Sequence, residues 1–123
     1  MTYSIVAKLP ETNQIGIAVA SRVFACGALV PYITQDTVVA SQAFVNPLWG
    51  SRSLDLLQRD IPFEKVLSIL KEEDHARETR QFHGISKSGE IVQHTGAHCE
   101  TWAGNIKGEN VSVAGNMLTG PEV

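Results

Sequence analysis

The sequence is short of cysteine, of long apolar runs and of positive charge, and each shortage excludes a class of protein. Its two cysteines, Cys26 and Cys99, are too few for a disulfide scaffold and are typical of reduced thiols in the cytoplasm. No apolar run approaches the ~20 residues of a membrane span. The start lacks the basic and apolar segments of a signal peptide. We therefore predict a cytoplasmic protein without a membrane partner.

Positive charge is scarce because 10 Lys and Arg stand against 13 Asp and Glu, which leaves a net charge of −3. Nucleic acids and anionic membranes both require concentrated positive charge, so neither is predicted as a partner. The remaining composition is ordinary for a globular protein, with 43% hydrophobic and 19% charged residues. The length of 123 residues predicts one domain, residues 1–123, with its own core.

Short apolar runs bounded by turn residues predict strands near both ends of the chain. The predicted strands are residues 3–9, 15–21, 37–44, 81–86, 90–95 and 111–116. Residues 10–14 and Lys87-Ser88-Gly89 are turn signals that predict two hairpins. Three segments are predicted to lack regular structure: a loop at 24–31, a solvated helix end and loop at 72–80, and an irregular stretch at 96–108.

Two helices are predicted between the strand groups. Asn46 can cap a helix N-terminus, and Pro47 suits the first turn. The strongest helical periodicity follows at i, i+3, i+4 and i+7, in Phe63, Val66, Leu67 and Leu70. Residues 120–122 resemble the start of a third helix. Strands before and after a helical pair predict an α+β fold, with helices covering the faces of two stacked sheets.

The first residues suggest a catalytic chemistry. Removal of Met1 would leave Thr2 with a free α-amine beside its hydroxyl. Such a residue is a complete nucleophile and base, because the amine can accept the proton of the attacking hydroxyl. The α-amine suits this task with a pKa near ~8. Retention of Met1 would place the amine in a peptide bond and remove the base. The alternative is a threonine that only begins a strand.

Six motifs along the chain resemble one family of proteins. They are Thr2-Tyr3-Ser4-Ile5-Val6-Ala7, Val19-Ala20-Ser21-Arg22, Gln42-Ala43-Phe44-Val45-Asn46-Pro47, His94-Thr95-Gly96, Trp102-Ala103-Gly104 and Ala114-Gly115-Asn116-Met117-Leu118. Together they resemble the domain of unknown function 1028, grouped with the N-terminal-nucleophile (Ntn) hydrolases. The resemblance implies a four-layer αββα sandwich that is incomplete at its C-terminal end, because family members continue beyond the position of Val123.

The order of elements also resembles a proteasome β subunit, which begins with a threonine strand and has a second strand ending in Ser-Arg. The proteasome subunit places a lysine beside its nucleophile in the strand that follows. Residues 25–44 of this chain contain no Lys or Arg. If Thr2 is catalytic, a group other than a lysine must tune its amine.

The resemblance implies the site residues. Thr2 would attack, and Ala43 and Asn116 would hold the oxyanion, which needs a pair of N–H donors. Substrate binding is assigned to a further set, namely Ser21, Arg22, Phe44, Asn46 and His94. Ser21 and Arg22 are expected to orient Thr2 or a substrate carboxylate. Arg77 and Arg80 are alternative partners for an acidic substrate group.

Histidine and cysteine offer two rival hypotheses. His94, His98 and Cys99 are too few for a four-ligand zinc site, and the chain has no CxxC motif. A nucleophilic Cys–His pair needs Cys99 beside a histidine, which spacing alone does not establish. The other histidines, His75 and His83, are predicted to be surface or pairing residues. Trp49 and Trp102 are predicted to pack in the core or an interface.

The predicted function is amide hydrolysis. An Ntn-type amidohydrolase would cleave a small-molecule or peptide amide through an acyl-enzyme on Thr2, with no cofactor and no metal. The alternative is a non-catalytic assembly or ligand-binding module with the same fold. A homo-oligomer is expected, because an incomplete sandwich exposes strand edges and apolar faces.

Overall fold

A computed structural model describes all residues, 1–123, as an α+β fold of two antiparallel sheets and three helices. The strands are β1 (Thr2–Leu9), β2 (Gln14–Ser21), β3 (Pro31–Ile33), β4 (Thr37–Ala43), β5 (Arg80–Ser86), β6 (Ile91–Thr95), β7 (Gly104–Gly108) and β8 (Val111–Asn116). The helices are α1 (Cys26–Leu29), α2 (Pro47–Gln58) and α3 (Phe63–Glu73), and a 3-10 turn covers Arg77–Thr79.

Each sheet has four strands. Sheet 1 has the order β2-β1-β8-β7, and sheet 2 has the order β3-β4-β5-β6. Their inner faces pack on each other through an apolar cluster of Val6, Val38 and Ile85. Successive side chains of a strand point to opposite faces, so every second residue of β1, beginning with Thr2, faces sheet 2.

The outer face of sheet 2 is covered by α2 and α3. Asn46 caps α2 because its side-chain oxygen accepts a hydrogen bond from the backbone N–H of Leu48 at 3.1 Å, and Pro47 occupies the first turn. The main core joins these helices to the sheet through large apolar side chains, including Trp49, Phe63, Val66, Leu67, Leu70 and Phe82. The predicted helical face and the predicted packing of Trp49 are therefore confirmed.

The structure corrects several predicted elements. The predicted loop at 24–31 contains α1 and begins β3, and the irregular stretch at 96–108 contains β7 as an edge strand. Phe44 lies just beyond β4, whereas the strand was expected to include it. No third helix begins at residues 120–122, which form a turn. The two longer helices, α2 and α3, cover sheet 2 and no comparable helix covers sheet 1, so residues 1–123 form three layers.

His83 is fully buried and is therefore not a surface residue, but it is a pairing residue, because both ring nitrogens form hydrogen bonds. Its Nε2 lies 2.8 Å from Ser4 Oγ, and its Nδ1 lies 2.8 Å from Ser112 Oγ. Ser4 donates its own proton to Gln42 Oε1 at 2.6 Å. His83 Nε2–H therefore donates to Ser4, and the lone pair of Nδ1 accepts from Ser112. The histidine is neutral, and burial lowers its pKa to about 4.

Gly84 allows α3 to pack closely on sheet 2. A Cβ at this position would lie 2.6 Å from a methyl carbon of Val39, 2.7 Å from the ring of Phe63 and 2.9 Å from the carbonyl oxygen of Val38. We expect Gly84→Ala to lower the free energy of unfolding by roughly 1–3 kcal/mol, because overpacking forces the neighbours apart. Urea unfolding would measure this. Gly16→Ala is the control, since its Cβ would meet no atom within 4 Å.

Candidate active site at the N-terminus

Thr2 begins a central strand of sheet 1 and faces the other sheet. It pairs in register with Ser21 of β2 on one side and with Asn116 of β8 on the other. Its side chain is nearly buried, with 8% exposure, and its Oγ1 lies 2.9 Å from Ser21 Oγ. The fold therefore brings together three of the residues singled out from the sequence.

The peptide group before Thr2 is held by β2. The carbonyl oxygen of Met1 accepts hydrogen bonds from Ser21 Oγ at 2.9 Å and from the backbone N–H of Arg22 at 3.3 Å. The α-amine of Met1 lies 3.4 Å from Sδ of Met117. Ser21 thus contacts both the hydroxyl of Thr2 and the group attached to its nitrogen.

A cleft of about 290 Å³ lies beside this strand end. It is lined by Ala43, Phe44, Thr79, His98, Cys99, Glu100, Asn116 and Met117. Two of these, Ala43 and Met117, have left-handed backbone conformations, with φ of 70° and 54°. That conformation costs a residue with a side chain roughly 1–2 kcal/mol, and such strain concentrates at functional sites.

Asn116 is held at the floor of the cleft by a buried network. Its Nδ2 donates to Gln81 Oε1 at 3.0 Å, and Gln42 Nε2 donates to the same oxygen at 2.8 Å. Gln81 Nε2 in turn donates to the carbonyl oxygen of Gly115 at 2.8 Å. An amide nitrogen carries two protons, so Asn116 keeps a second donor after the bond to Gln81. Sequence reasoning missed Gln81, although a polar residue inside an apolar strand is a usable signal.

The carboxylate of Asp74 accepts hydrogen bonds from four residues. Its Oδ2 accepts from Arg80 Nε and Trp49 Nε1, both at 2.8 Å, and from Asn46 Nδ2 at 3.3 Å, while its Oδ1 accepts from the N–H of Ala76 at 2.9 Å. The Arg80 guanidinium in particular holds the pKa of this carboxyl well below its usual range. The prediction of a solvated segment is therefore wrong at Asp74.

Arg80 connects this cluster to the cleft. Its Nη1 donates to the carbonyl oxygen of Phe44 at 2.6 Å, and its guanidinium lies 5.7 Å from the centroid of the Phe44 ring. The side chain of Phe44 is 75% exposed. The guanidinium of Arg80 is therefore already bonded to Asp74 and to the Phe44 carbonyl of the cleft wall. The side chain of Asn46 is already bonded to the backbone of α2 and to Asp74.

Three of the predicted site residues line the cleft, namely Ala43, Phe44 and Asn116, whereas the others lie outside its lining: Thr2, Ser21, Arg22, Asn46 and His94. His94 Nε2 lies 2.9 Å from the carbonyl oxygen of Arg77, and the His94 ring lies 5.5 Å from that of Trp49. Arg22 is exposed at the end of β2, where its backbone N–H faces Met1.

The structure supports neither the Cys–His nucleophile nor the zinc site. The Cys99 thiol donates to the carbonyl oxygen of Arg80 at 3.3 Å, and burial raises its pKa, which disfavours the nucleophilic thiolate. No three His, Cys, Asp or Glu side chains lie close enough to hold a metal ion, so the zinc hypothesis for His94, His98 and Cys99 is not supported.

The fold and the site define an α+β protein of two packed antiparallel sheets, in which a hydroxyl residue, Thr2, begins a central strand near a cleft with strained backbone. The chain matches the Family of unknown function DUF1028 over residues 2–123 and belongs to it. It is also similar to the crystal structure of protein SPO2555 from Silicibacter pomeroyi, described as DUF1028, with 28% identity and a TM-score of 0.92.

That similarity covers 98% of this chain and 54% of the SPO2555 chain, so this chain spans about half the length of its relative. No curated protein matches the sequence. None of the helices is both long enough and apolar enough to cross a membrane.

Proposed function

We propose that this chain provides the nucleophile-bearing part of an Ntn-type amide hydrolase with an αββα architecture. Thr2 carries this proposal, because its hydroxyl is the first functional group of a central strand, contacts Ser21 and pairs in register with a cleft residue, Asn116. Removal of Met1 would free the α-amine next to that hydroxyl. This arrangement is what an N-terminal nucleophile requires.

The reaction would proceed in two balanced steps. The α-amine of Thr2 takes the hydroxyl proton while Oγ1 attacks the carbonyl carbon of an amide. The tetrahedral oxyanion collapses, the C–N bond breaks, and the leaving amine takes the proton. Water, deprotonated by the same α-amine, then attacks the ester and releases a carboxylic acid and free Thr2.

Asn116 and the backbone at Ala43 are the proposed oxyanion donors. Both line the cleft, and the second N–H of Asn116 remains after its bond to Gln81. Removing one such donor from a hydrolase typically costs about 10²–10³ in rate. The side chain of Phe44, which is largely exposed to solvent, is the proposed contact for an apolar part of a small-molecule or peptide amide.

Intact mass tests the proposal, measured before and after incubation with a β-lactone that acylates N-terminal threonine. We expect loss of Met1 and a single adduct. The adduct should be absent from Thr2→Ala and retained in Thr12→Ala, which changes an exposed threonine in the first turn. Retained Met1, or an adduct that persists in Thr2→Ala, would contradict the proposal and favour a non-catalytic module.

A further inference from the structure

Strand β2 forms one edge of sheet 1 and has none of the usual protection of an exposed edge. It pairs only with β1, residue for residue and without a bulge, and its sequence, Gln14–Ser21, contains no charged residue and no proline. Natural edge strands are shortened, charged, bulged or interrupted by proline, because an open row of backbone groups pairs with other chains. An uncharged edge of eight residues therefore has the character of a pairing surface.

The other three edges of the two sheets are protected. Edge strand β3 has only three residues and begins with Pro31. Strands β6 and β7 lie side by side, and Gln93 Nε2 of β6 donates to the backbone carbonyl oxygen of Ile106 in β7 at 2.9 Å. Strand β7 also carries an exposed charge, Lys107. Since the chain protects three edges in these ways, the open edge at β2 is a specific feature of the molecule.

The register of β2 shows which of its backbone groups are open. Arg22 donates its N–H to its pairing partner, Met1, and hydrogen-bonded pairs alternate with non-hydrogen-bonded pairs along an antiparallel ladder. Gly16, Ala18 and Ala20 therefore bond to β1. The N–H and C=O groups that point away from β1 belong to four residues: Ile15, Ile17, Val19 and Ser21. These groups form no hydrogen bond elsewhere in the chain.

The open groups of β2 are complementary to those of a second copy of the same strand. About a two-fold axis at Ala18, antiparallel pairing puts Ile17 opposite Val19 of the second copy. The same register puts Ile15 opposite Ser21 of the second copy. All four open residues of each copy then lie in hydrogen-bonded pairs, so that four N–H groups from each copy form eight hydrogen bonds in all.

The side chains of β2 fit the same register. On the outer face of sheet 1, Ala18 meets its own counterpart and Gly16 meets Ala20 of the second copy. These are the non-hydrogen-bonded pairs, in which strands bring side chains closest together and small residues fit best. On the inner face, Ile17 meets Val19, a favourable pair of β-branched side chains. Ile17 is only partly buried within one chain, and the second copy would cover it further.

Charges at the two ends of β2 favour the antiparallel arrangement. The turn before the strand contains Glu11, and Arg22 follows the strand directly. Both residues are exposed, and neither takes part in an ion pair. The register at Ala18 puts Gln14 of one copy opposite Arg22 of the other, which brings the Glu11 turn to the Arg22 end of the second copy. Parallel pairing would instead place like charges together, which is unfavourable.

We propose that this chain forms a symmetric dimer in which the two β2 strands pair antiparallel about Ala18. The two copies of sheet 1 then form one continuous sheet of eight strands, four from each copy. One end of the contact is Ser21, whose Oγ lies 2.9 Å from Oγ1 of Thr2. The second copy therefore fixes the backbone of a residue in the candidate site, although dimerisation itself needs no chemistry at Thr2.

Disulfide cross-linking tests the register. In an Ala18→Cys variant the two Cα atoms would lie about 4.5 Å apart, within the range that a disulfide spans. We expect mild oxidation to convert most of this variant, in a Cys26→Ser background with Cys99 buried, into a covalent dimer on nonreducing electrophoresis. Gly16→Cys is the matched control on the same strand and face, where a Cβ meets no atom. Its two Cα atoms would lie about 14 Å apart, so no dimer should form.

Sedimentation equilibrium tests the dimer without a cross-link. Ala18→Lys should raise the dissociation constant about tenfold, because two like charges then face each other across the axis. Ala97→Lys adds the same charge at an exposed alanine beyond β6 and should leave the constant unchanged. Three results would overturn the proposal: a monomer at every concentration up to millimolar, a dimer indifferent to Ala18→Lys, or cross-linking of Gly16→Cys as complete as that of Ala18→Cys. Thr2→Ala should dimerise like the unsubstituted protein, so the outcome is separate from that of the amide-hydrolase proposal.

Discussion

Asp74→Ala is expected to lower the free energy of unfolding by about 3 kcal/mol, because it breaks a largely buried ion pair by removing one partner. Asp74 and Arg80 are 12% and 11% exposed in their side chains, with Oδ2 and Nε 2.8 Å apart. The substitution leaves the guanidinium of Arg80 and the indole N–H of Trp49 without their acceptor. A buried donor left unpaired carries its full desolvation cost.

Urea unfolding at neutral pH measures this loss, and the neighbouring carboxylate provides a matched control. Glu73 forms an even closer pair with Arg52, at 2.5 Å, but both side chains are exposed, at 49% and 42%. Exposed pairs contribute little to stability, so Glu73→Ala should leave the unfolding midpoint nearly unchanged. If the two substitutions lowered the free energy of unfolding equally, burial would not be the reason that the Asp74 cluster stabilises the fold.

The same substitution should also loosen the cleft. Arg80 reaches the Phe44 carbonyl oxygen from its position on Asp74, so loss of the carboxylate releases a guanidinium that holds the cleft wall. If the proposed function is correct, Asp74→Ala should label more slowly with the β-lactone at Thr2 under conditions where it is still folded. The control Glu73→Ala should label at the rate of the unsubstituted protein.

The sequence predicted most elements of this fold because their local signals agree with their tertiary roles. The periodicity of α3 matches the side that sheet 2 buries, and the cap at Asn46 and Pro47 matches the start of α2. The strand β7 was missed for a physical reason. Its sequence, Gly104–Gly108, begins and ends in glycine, which has a low strand propensity, and its pairing with β8 is what orders it.

The inner polar network could not be predicted from periodicity. A strand with alternating polar and apolar residues is normally interpreted with its polar side toward water. In β5 that rule fails, because Gln81 and His83 face sheet 1, while Phe82 faces the helices. Only partners from distant strands satisfy these groups, and single-sequence patterns carry no information about pairing between sheets. The hydrogen bonds of Asp74 to Asn46 and Trp49 at the start of α2 are likewise long-range contacts that local sequence patterns do not show.

Acidification between pH 7 and pH 5 is expected to cost about 2 kcal/mol of stability through His83 alone. Burial lowers the pKa of His83 to about 4, whereas an unfolded histidine has a pKa of ~6.5. Within that interval the unfolded chain binds a proton that the folded chain does not. The stabilisation is therefore complete above the unfolded pKa and is lost as the pH falls through the folded one.

Urea unfolding at several pH values between 7 and 5 isolates this contribution, because the depressed pKa of Asp74 matters mainly at lower pH. His83→Leu should flatten the pH dependence. In that variant, Ser4 still donates to Gln42, and Ser112 still accepts from Gln93, so each hydroxyl keeps one hydrogen bond. His75→Leu, at an exposed histidine, should keep the dependence, and a pH dependence unchanged in His83→Leu would contradict the assignment.

Protonation of His83 should also affect the cleft, because one network of hydrogen bonds joins His83 to Asn116. The network passes through Ser4, Gln42 and Gln81. Protonation of His83 requires Ser112 to turn its hydroxyl away from Nδ1, since a charged imidazole has no acceptor. The rearranged hydrogen bond lies between the two sheets, and the same network includes Asn116, the proposed oxyanion donor. The protection factors of the amide hydrogens, which correct for the slower intrinsic exchange at low pH, should therefore fall together at β1 and β8 as the pH falls toward 4, before they fall in α3.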